Sequence, residues 1–262
     1  MRLIAIMQPT YLPWIGYFDL IDQVDKFVFF DDVKVSKQSW GVRNRLKTKQ
    51  GEIYITVPIK NYKDHANRLF SNTEINYSER WQVKHLKTIA QSYSKAPFFK
   101  NIYEDFKSVV DSEYATIADL NISIIRLVAA KMHIRTKCCR SSEIKGIDGR
   151  KDDRLVKICQ ALGANQYLSP QGSADYIEAI RPGGAFSEAG IELFYHNFDH
   201  PEYPQQGSSF LSHMGIVDLL MNCGYEQSLD IIRSGRRKMI PYLEFRETRS
   251  SNPMKDQPAR KS

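Results

Sequence analysis

Apolar residues open the chain as a continuous block. Residues 2–7 read as a buried strand. Gln8, Pro9 and Pro13 then break regular structure, so 8–14 is a loop. Over 16–23 the spacing becomes helical, with Phe18, Leu20, Ile21 and Val24 near one face. A second apolar, aromatic block follows at 26–30 and stops at Asp31-Asp32. Strand, loop, helix and strand form a βαβ unit, whose two strands run parallel. Ligands of open α/β sheets bind beyond the carboxyl ends of such strands. The 8–14 loop and Asp31-Asp32 both lie at that edge.

The pattern continues less regularly. Arg43-Asn44-Arg45 reads as a basic turn ahead of a strand at 53–59, with Gly51 marking a further turn and Pro58 near the strand's end. Helical spacing covers 78–93, with Ser78 as N-cap, then 98–110 and 117–132. A short strand is expected at 134–138, a helix at 149–162 and a strand at 166–168. A loop at 169–173, a short helix at 173–180 and a last strand at 191–195 follow. Residues 200–205 form an irregular turn, and a helix at 216–222 closes at Cys223-Gly224, with Gly224 as the residue past the helix end. The elements predict an α/β fold: a Rossmann-like, partly parallel sheet with flanking helices. One domain is expected over 1–246, with a helical insertion around 78–132. Residues 247–262 are polar and aperiodic, and read as a disordered basic tail.

Composition changes this picture little. With 42% hydrophobic and 26% charged residues the chain can build a large core. The net charge of +7 is uneven: from Arg233 onward there are nine basic and three acidic residues, which leaves 1–232 close to neutral. A basic face for specific nucleic-acid binding is therefore not expected, whereas the tail could touch an anionic membrane weakly. No block is long enough to span a membrane, and the apolar start is too short for a signal peptide, so a cytoplasmic location is expected. Cys138, Cys139, Cys159 and Cys223 form neither a disulfide framework nor a CxxC pair; no metal site is expected, and the cysteines read as reduced thiols.

Polar residues gather where strands end: Gln8, then Asp31 and Asp32, then Ser169 and Gln171, then His196 and His200. Convergent polar groups on such a rim are the default site. Asp31 and Asp32 read equally as base, ammonium or metal ligands and as caps of a turn. His200, held among Pro201, Tyr203 and Pro204, could shuttle a proton; His65, His85 and His133 are weaker candidates, and His196 and His213 stay open. Arg43 and Arg45 could grip phosphate, or be a solvated turn. Tyr11, Trp14, Tyr17 and Phe18 could wall a sugar or a base, or be core. No GxSxG, P-loop, GxGxxG or HExxH occurs.

The segment 7–18 (MQPTYLPWIGYF) followed by 27–33 (FVFFDDV), Ser39-Trp40 before Arg43-Asn44-Arg45, Tyr167-Leu168-Ser169 with Gly172, His200–Gln205 (HPEYPQ) and 216–224 (IVDLLMNCG) resemble the WbqC-like protein family over residues 1 to about 232. Gly41-Val42 departs from the Asn-containing stretch expected after the tryptophan. The resemblance implies an enzyme of surface-polysaccharide and O-antigen biosynthesis that attaches an acyl or aminoacyl group to a nucleotide-activated amino sugar. No cofactor is required by the sequence; a thioester donor, carried by coenzyme A or an acyl carrier protein, fits that chemistry. On this reading His200, or else Asp32 or Asp31, is the base. Gln8, Tyr11, Trp14, Arg43, Asn44, Arg45, Ser169, Gly172, Tyr203 and Gln205 contact substrate. A remoter likeness to nucleotidylyl-transferase-type ligases such as pantothenate synthetases lacks their HxGH residues. An ATP-dependent, adenylate-forming amide ligase and a non-catalytic scaffold in glycan assembly are the alternatives.

Overall fold

The computed structural model describes residues 2–60 and 68–251. Strand β1 (Leu3–Met7), helix α1 (Ile15–Asp22) and β2 (Lys26–Phe29) form the expected βαβ unit, with β1 and β2 parallel. Together with β5 (Lys137–Arg140), β6 (Gln166–Ser169), β7 (Glu192–Tyr195) and the short β8 (Ile240–Pro241) they make one sheet. Its order is β5-β2-β1-β6-β7-β8, parallel except for β8. Alternation decides which face each residue serves. Ala5, Phe27 and Phe29 pack into a core with α1, α2 (Trp81–Tyr93), α3 (Phe99–Val110), α4 (Ile117–Lys131) and α8 (Ile216–Ser234). Ile4, Ile6 and Val28 face α5 (Lys151–Ala161), α6 (Ala174–Ile177) and α7 (Gly184–Glu188) on the other side. Burial on both faces explains why the central strands, β1 and β2 after Lys26, are continuous apolar runs. The architecture is Rossmann-like, with α2–α4 falling in the predicted helical stretch.

Five local readings need correction. The basic turn at 43–45 is a strand, β3 (Arg43–Thr48), paired antiparallel with β4 (Gly51–Thr56) as a separate hairpin. Ser78 is not a helix cap: Asn76 accepts its N–H, Arg80 turns left-handed (φ 48), and α2 starts only at Trp81. The strand after α4 begins late, because His133 (φ 60) and Ile134 close α4 with hydrogen bonds to Ala130 and Ala129. Gly224 does take a left-handed φ of 71, but the chain kinks there and resumes as helix to Ser234. A side chain at Gly224 would meet the Phe98 ring.

The fifth concerns the tail. Residues 247–251 belong to helix α9 (Tyr242–Ser251). Buried Phe245 holds it against Tyr195, and Arg246 and Arg249 pair with Glu178 and Asp175. Residues 252–262 lie outside the described residues, as does His65. Among the described residues no helix is long and apolar enough to cross a membrane. The four cysteines carry no disulfide.

Candidate active site

Three chain segments meet at Gly215, the residue before α8. Its N–H donates to the Arg45 carbonyl (3.1 Å), it bridges to Trp14, and Ile216 donates to the Pro13 carbonyl (2.8 Å). A Cβ here would stand 3.0 Å from the Leu12 carbonyl and 3.2 Å from that of Arg45, so a larger residue would push these segments apart by a few tenths of an ångström. Asn44, expected to touch substrate, is buried instead. Its amide donates to the carbonyls of Tyr11 (2.9 Å) and Leu12 (2.7 Å), which ties the 8–14 loop to β3. Asn121 does the same between Pro9 and Gly41 (2.8 Å each). Tyr11 is buried too; its hydroxyl meets His85 Nδ1 at 2.9 Å. Burial drives the His85 pKa down to about 4, and its Nε2 lies 3.1 Å from the Thr56 carbonyl.

On this junction stands an aromatic corner. The Trp14 indole lies across Gly16, where a Cβ would come within 2.2 Å of the ring. His213 stacks on it at 5.0 Å and His200 at 6.2 Å, with Phe198 edge-on at 5.5 Å. The two histidines do different jobs. His200 Nε2 accepts the His213 backbone N–H (3.0 Å), so Nδ1 carries the ring proton and donates to the Pro201 carbonyl (2.9 Å). Burial, with His213 nearby, lowers its pKa to about 4. A neutral ring with both nitrogens committed to the backbone positions a loop rather than moving a proton. His213 sits in a left-handed turn (φ 59) with Nδ1 2.9 Å from Ser212 Oγ, and its Nε2 has no hydrogen-bond partner among the described residues. Burial and then Arg45 lower its pKa, which favours the neutral ring. Arg45 ties the corner to the hairpin, with one arm on Glu52 and one on the His213 carbonyl (2.8 Å each).

Beneath the corner is a buried carboxylate that sequence reasoning missed. Asp218 accepts from Tyr93 (2.9 Å), Tyr203 (2.9 Å) and Gln205 (2.7 Å), and burial raises its pKa. Buried Lys47 donates to Gln205 Oε1 (2.9 Å) and to the Ser209 carbonyl. Gln205 also pairs with both backbone groups of Leu211 (2.9 Å each). Tyr203 and Gln205 therefore hold the loop that carries His213. A lone carboxylate inside the apolar run IVDLLMN was the available signal for Asp218; nothing in sequence separates Lys47 from a solvated lysine.

The sheet rim does collect Gln8, Asp31, Asp32, Ser169 and His196, as expected from parallel strands. Asp31 is fully buried. It accepts from Ser142 N–H (3.0 Å), Ser142 Oγ (2.8 Å) and Ser141 Oγ (3.2 Å). Asp32 takes Ser141 Oγ (2.6 Å) and an ion pair with Arg154. These are the bonds of a cap, without a free oxygen. His196 pairs with buried Asp19 (2.7 Å), which also holds Arg236 (2.8 Å). Its backbone N–H donates to the Ser169 carbonyl, and its ring stacks on Phe198 at 5.8 Å, linking rim to corner. Ser169 is buried, and Gly172 stands in open space in the following turn.

The sequence pattern of the WbqC-like protein family matches residues 8–229. The chain belongs to that family. Within it, this WbqC-like protein is 31% identical over 228 residues to a Mycobacterium tuberculosis protein, Rv1507c, described as uncharacterized; the match covers 86% of this chain and 96% of the relative. No solved structure matches it. The family match takes in the Gln8–Trp14 loop, the β3–β4 hairpin and the 196–215 segment, the three parts that build the corner of this WbqC-like protein.

Proposed function

We propose that the protein N-acylates a nucleotide-activated amino sugar in surface-polysaccharide assembly, at the Trp14–His213 corner. The observation that carries this reading is His213: a histidine kept neutral, with Nε2 unengaged among the described residues, beside a half-buried indole and an arginine. The sugar amine attacks the carbonyl carbon of an acyl thioester, held by coenzyme A or a carrier protein. His213 Nε2 accepts the proton that the nitrogen sheds. The C–S bond breaks, and the departing thiolate takes that proton to leave as a thiol. Amide and thiol are the products, and the base is regenerated. His200 fixes the backbone of His213, and the Asp218–Gln205–Lys47 network holds the loop beneath it. Asp31 and Asp32 have no role as base in this scheme, and His213 takes the role that sequence alone gave to His200.

The test is to incubate the protein with a nucleotide-linked amino sugar and an acyl thioester, and to follow thiol release and the mass of the sugar nucleotide. The expected result is acyl-dependent mass gain, lost in His213→Gln. Thiol release without sugar acylation, or equal turnover in the variant, overturns the reading.

A further inference from the structure

On and beside the outer face of the β3–β4 hairpin are two exposed aromatic rings that no element covers among the described residues. Trp40 is 47% exposed and Tyr54 50%. Their centroids are 6.2 Å apart and their planes 26° from parallel. A guanidinium borders each: Arg43 lies 5.0 Å from the Tyr54 centroid and Arg45 5.7 Å from that of Trp40. The strand register explains this. Arg45 stands opposite Tyr54 and Arg43 opposite Thr56, so alternate positions put both arginines and the tyrosine on one face.

The two arginines differ in what they hold. Arg45 is engaged with Glu52 and the His213 carbonyl. Arg43 has no ion pair or side-chain hydrogen bond among the described residues, although its Nε is buried from solvent. A half-buried guanidinium without a counter-ion is a standing site for an anion with paired oxygens. Aromatic faces beside it stack a nucleobase whatever its identity, because every base has a π-face.

We propose that this face seats a nucleoside diphosphate, with the base on the Trp40–Tyr54 rings and the phosphates on Arg43. The inference rests on the sugar-nucleotide reading of the corner and names where its nucleotide half binds. Arg45 touches both halves, which places the linked sugar toward His213. The near-neutral balance of residues 1–232 favours a compact phosphate ligand over a polynucleotide, which needs cationic groups along its whole track.

Calorimetric titration of the full-length protein with UDP, GDP and dTDP, alongside uridine, inorganic phosphate and a single-stranded oligonucleotide, tests this without any acyl donor. At least one diphosphate is expected to bind. Trp40→Ala and Tyr54→Ala should each weaken it about tenfold or more, while Trp40→Phe retains most of the affinity. Arg43→Ala should weaken the diphosphate about tenfold and leave nucleoside binding unchanged. The placement is overturned if no diphosphate binds at millimolar concentration, if binding survives all three alanine substitutions in folded protein, or if the oligonucleotide outcompetes every diphosphate. Diphosphate binding that depends on these residues, without acyl transfer, sinks the acylation chemistry alone. Acyl transfer that ignores all three alanine substitutions sinks the placement alone.

Discussion

At the ends of β2 and β5, each carboxylate oxygen of Asp31 and Asp32 has a donor or a cation beside it. At the corner between the hairpin and the 196–215 segment, His213 and Arg43 each keep a nitrogen without a partner among the described residues. In sequence Asp31-Asp32 stand out, because they end an apolar block, and Arg43 and His213 do not. The difference is what the fold has already done with them. A carboxylate surrounded by serine hydroxyls, an N–H and an arginine has its interaction capacity filled by its own protein, and that stabilises the fold. A nitrogen left open beside an indole retains its capacity for something that arrives from outside. Groups of the first kind hold the molecule together, and groups of the second kind are where to look for chemistry.

The contrast breaks most sharply at turnover. His213→Gln should cut turnover by roughly 10²–10⁴-fold, the span that a positioned base supplies, with an unchanged circular dichroism spectrum. Asp32→Asn should leave turnover within a small factor, and the reverse ranking in a steady-state assay would invert the assignment. Next in size is stability. Asp31→Ala strands the Ser142 N–H and the Ser142 hydroxyl, while Ser141 keeps Asp32, and should lower the unfolding free energy by about 3 kcal/mol in urea titrations, whereas His213→Gln should shift it little. Asn44→Ala should cost about 2 kcal/mol. Because Asn44 ties the loop bearing Trp14 to β3, it should also lower turnover, so one substitution joins both effects.

A smaller effect is expected with pH. His85 is held at about 4 in the folded state against 6.5 for the free side chain. Between those values the unfolded chain binds the extra proton, so stability is full above pH 6.5 and declines as pH falls toward 4. His85→Gln can keep both hydrogen bonds without titrating, and should reduce that slope in thermal melts, leaving the share that His200 contributes over the same range. Ending the chain after Ser251 should change neither melting temperature nor turnover, since α9 is already fixed by Phe245, Arg246 and Arg249.

The sheet was legible because β1 and β2 are apolar on both faces and α1 between them is short and regular. Of the hairpin, the turn and β4 were legible and β3 was not, because β3 reads RNRLKT: only Leu46 among its inward positions is apolar, while Asn44 faces inward to bind carbonyls. Trp14, Arg45, His200, Tyr203 and Gln205, all named from the sequence, lie within one neighbourhood of the fold. Which histidine stays open was hidden, because the answer depends on a backbone N–H thirteen residues away meeting His200 Nε2. In the positive C-terminal stretch, Arg233, Arg236, Arg237, Arg246 and Arg249 all pair with acids of the folded body, a use of the charge that a residue count does not reveal.

The Gly215 junction also has a temporal meaning. Its parts lie far apart in sequence: the 8–14 loop and β3 leave the ribosome well before Gly215 and the Arg236 that neutralises Asp19 and Asp22. Until then Trp14 has no histidine to stack on, and two carboxylates that the finished fold covers stand without their cation. Contacts this distant in sequence form slowly and last. A chain that stops short of Gly215 therefore lacks this junction, and its 8–14 loop and β3 stand without the segment that joins them.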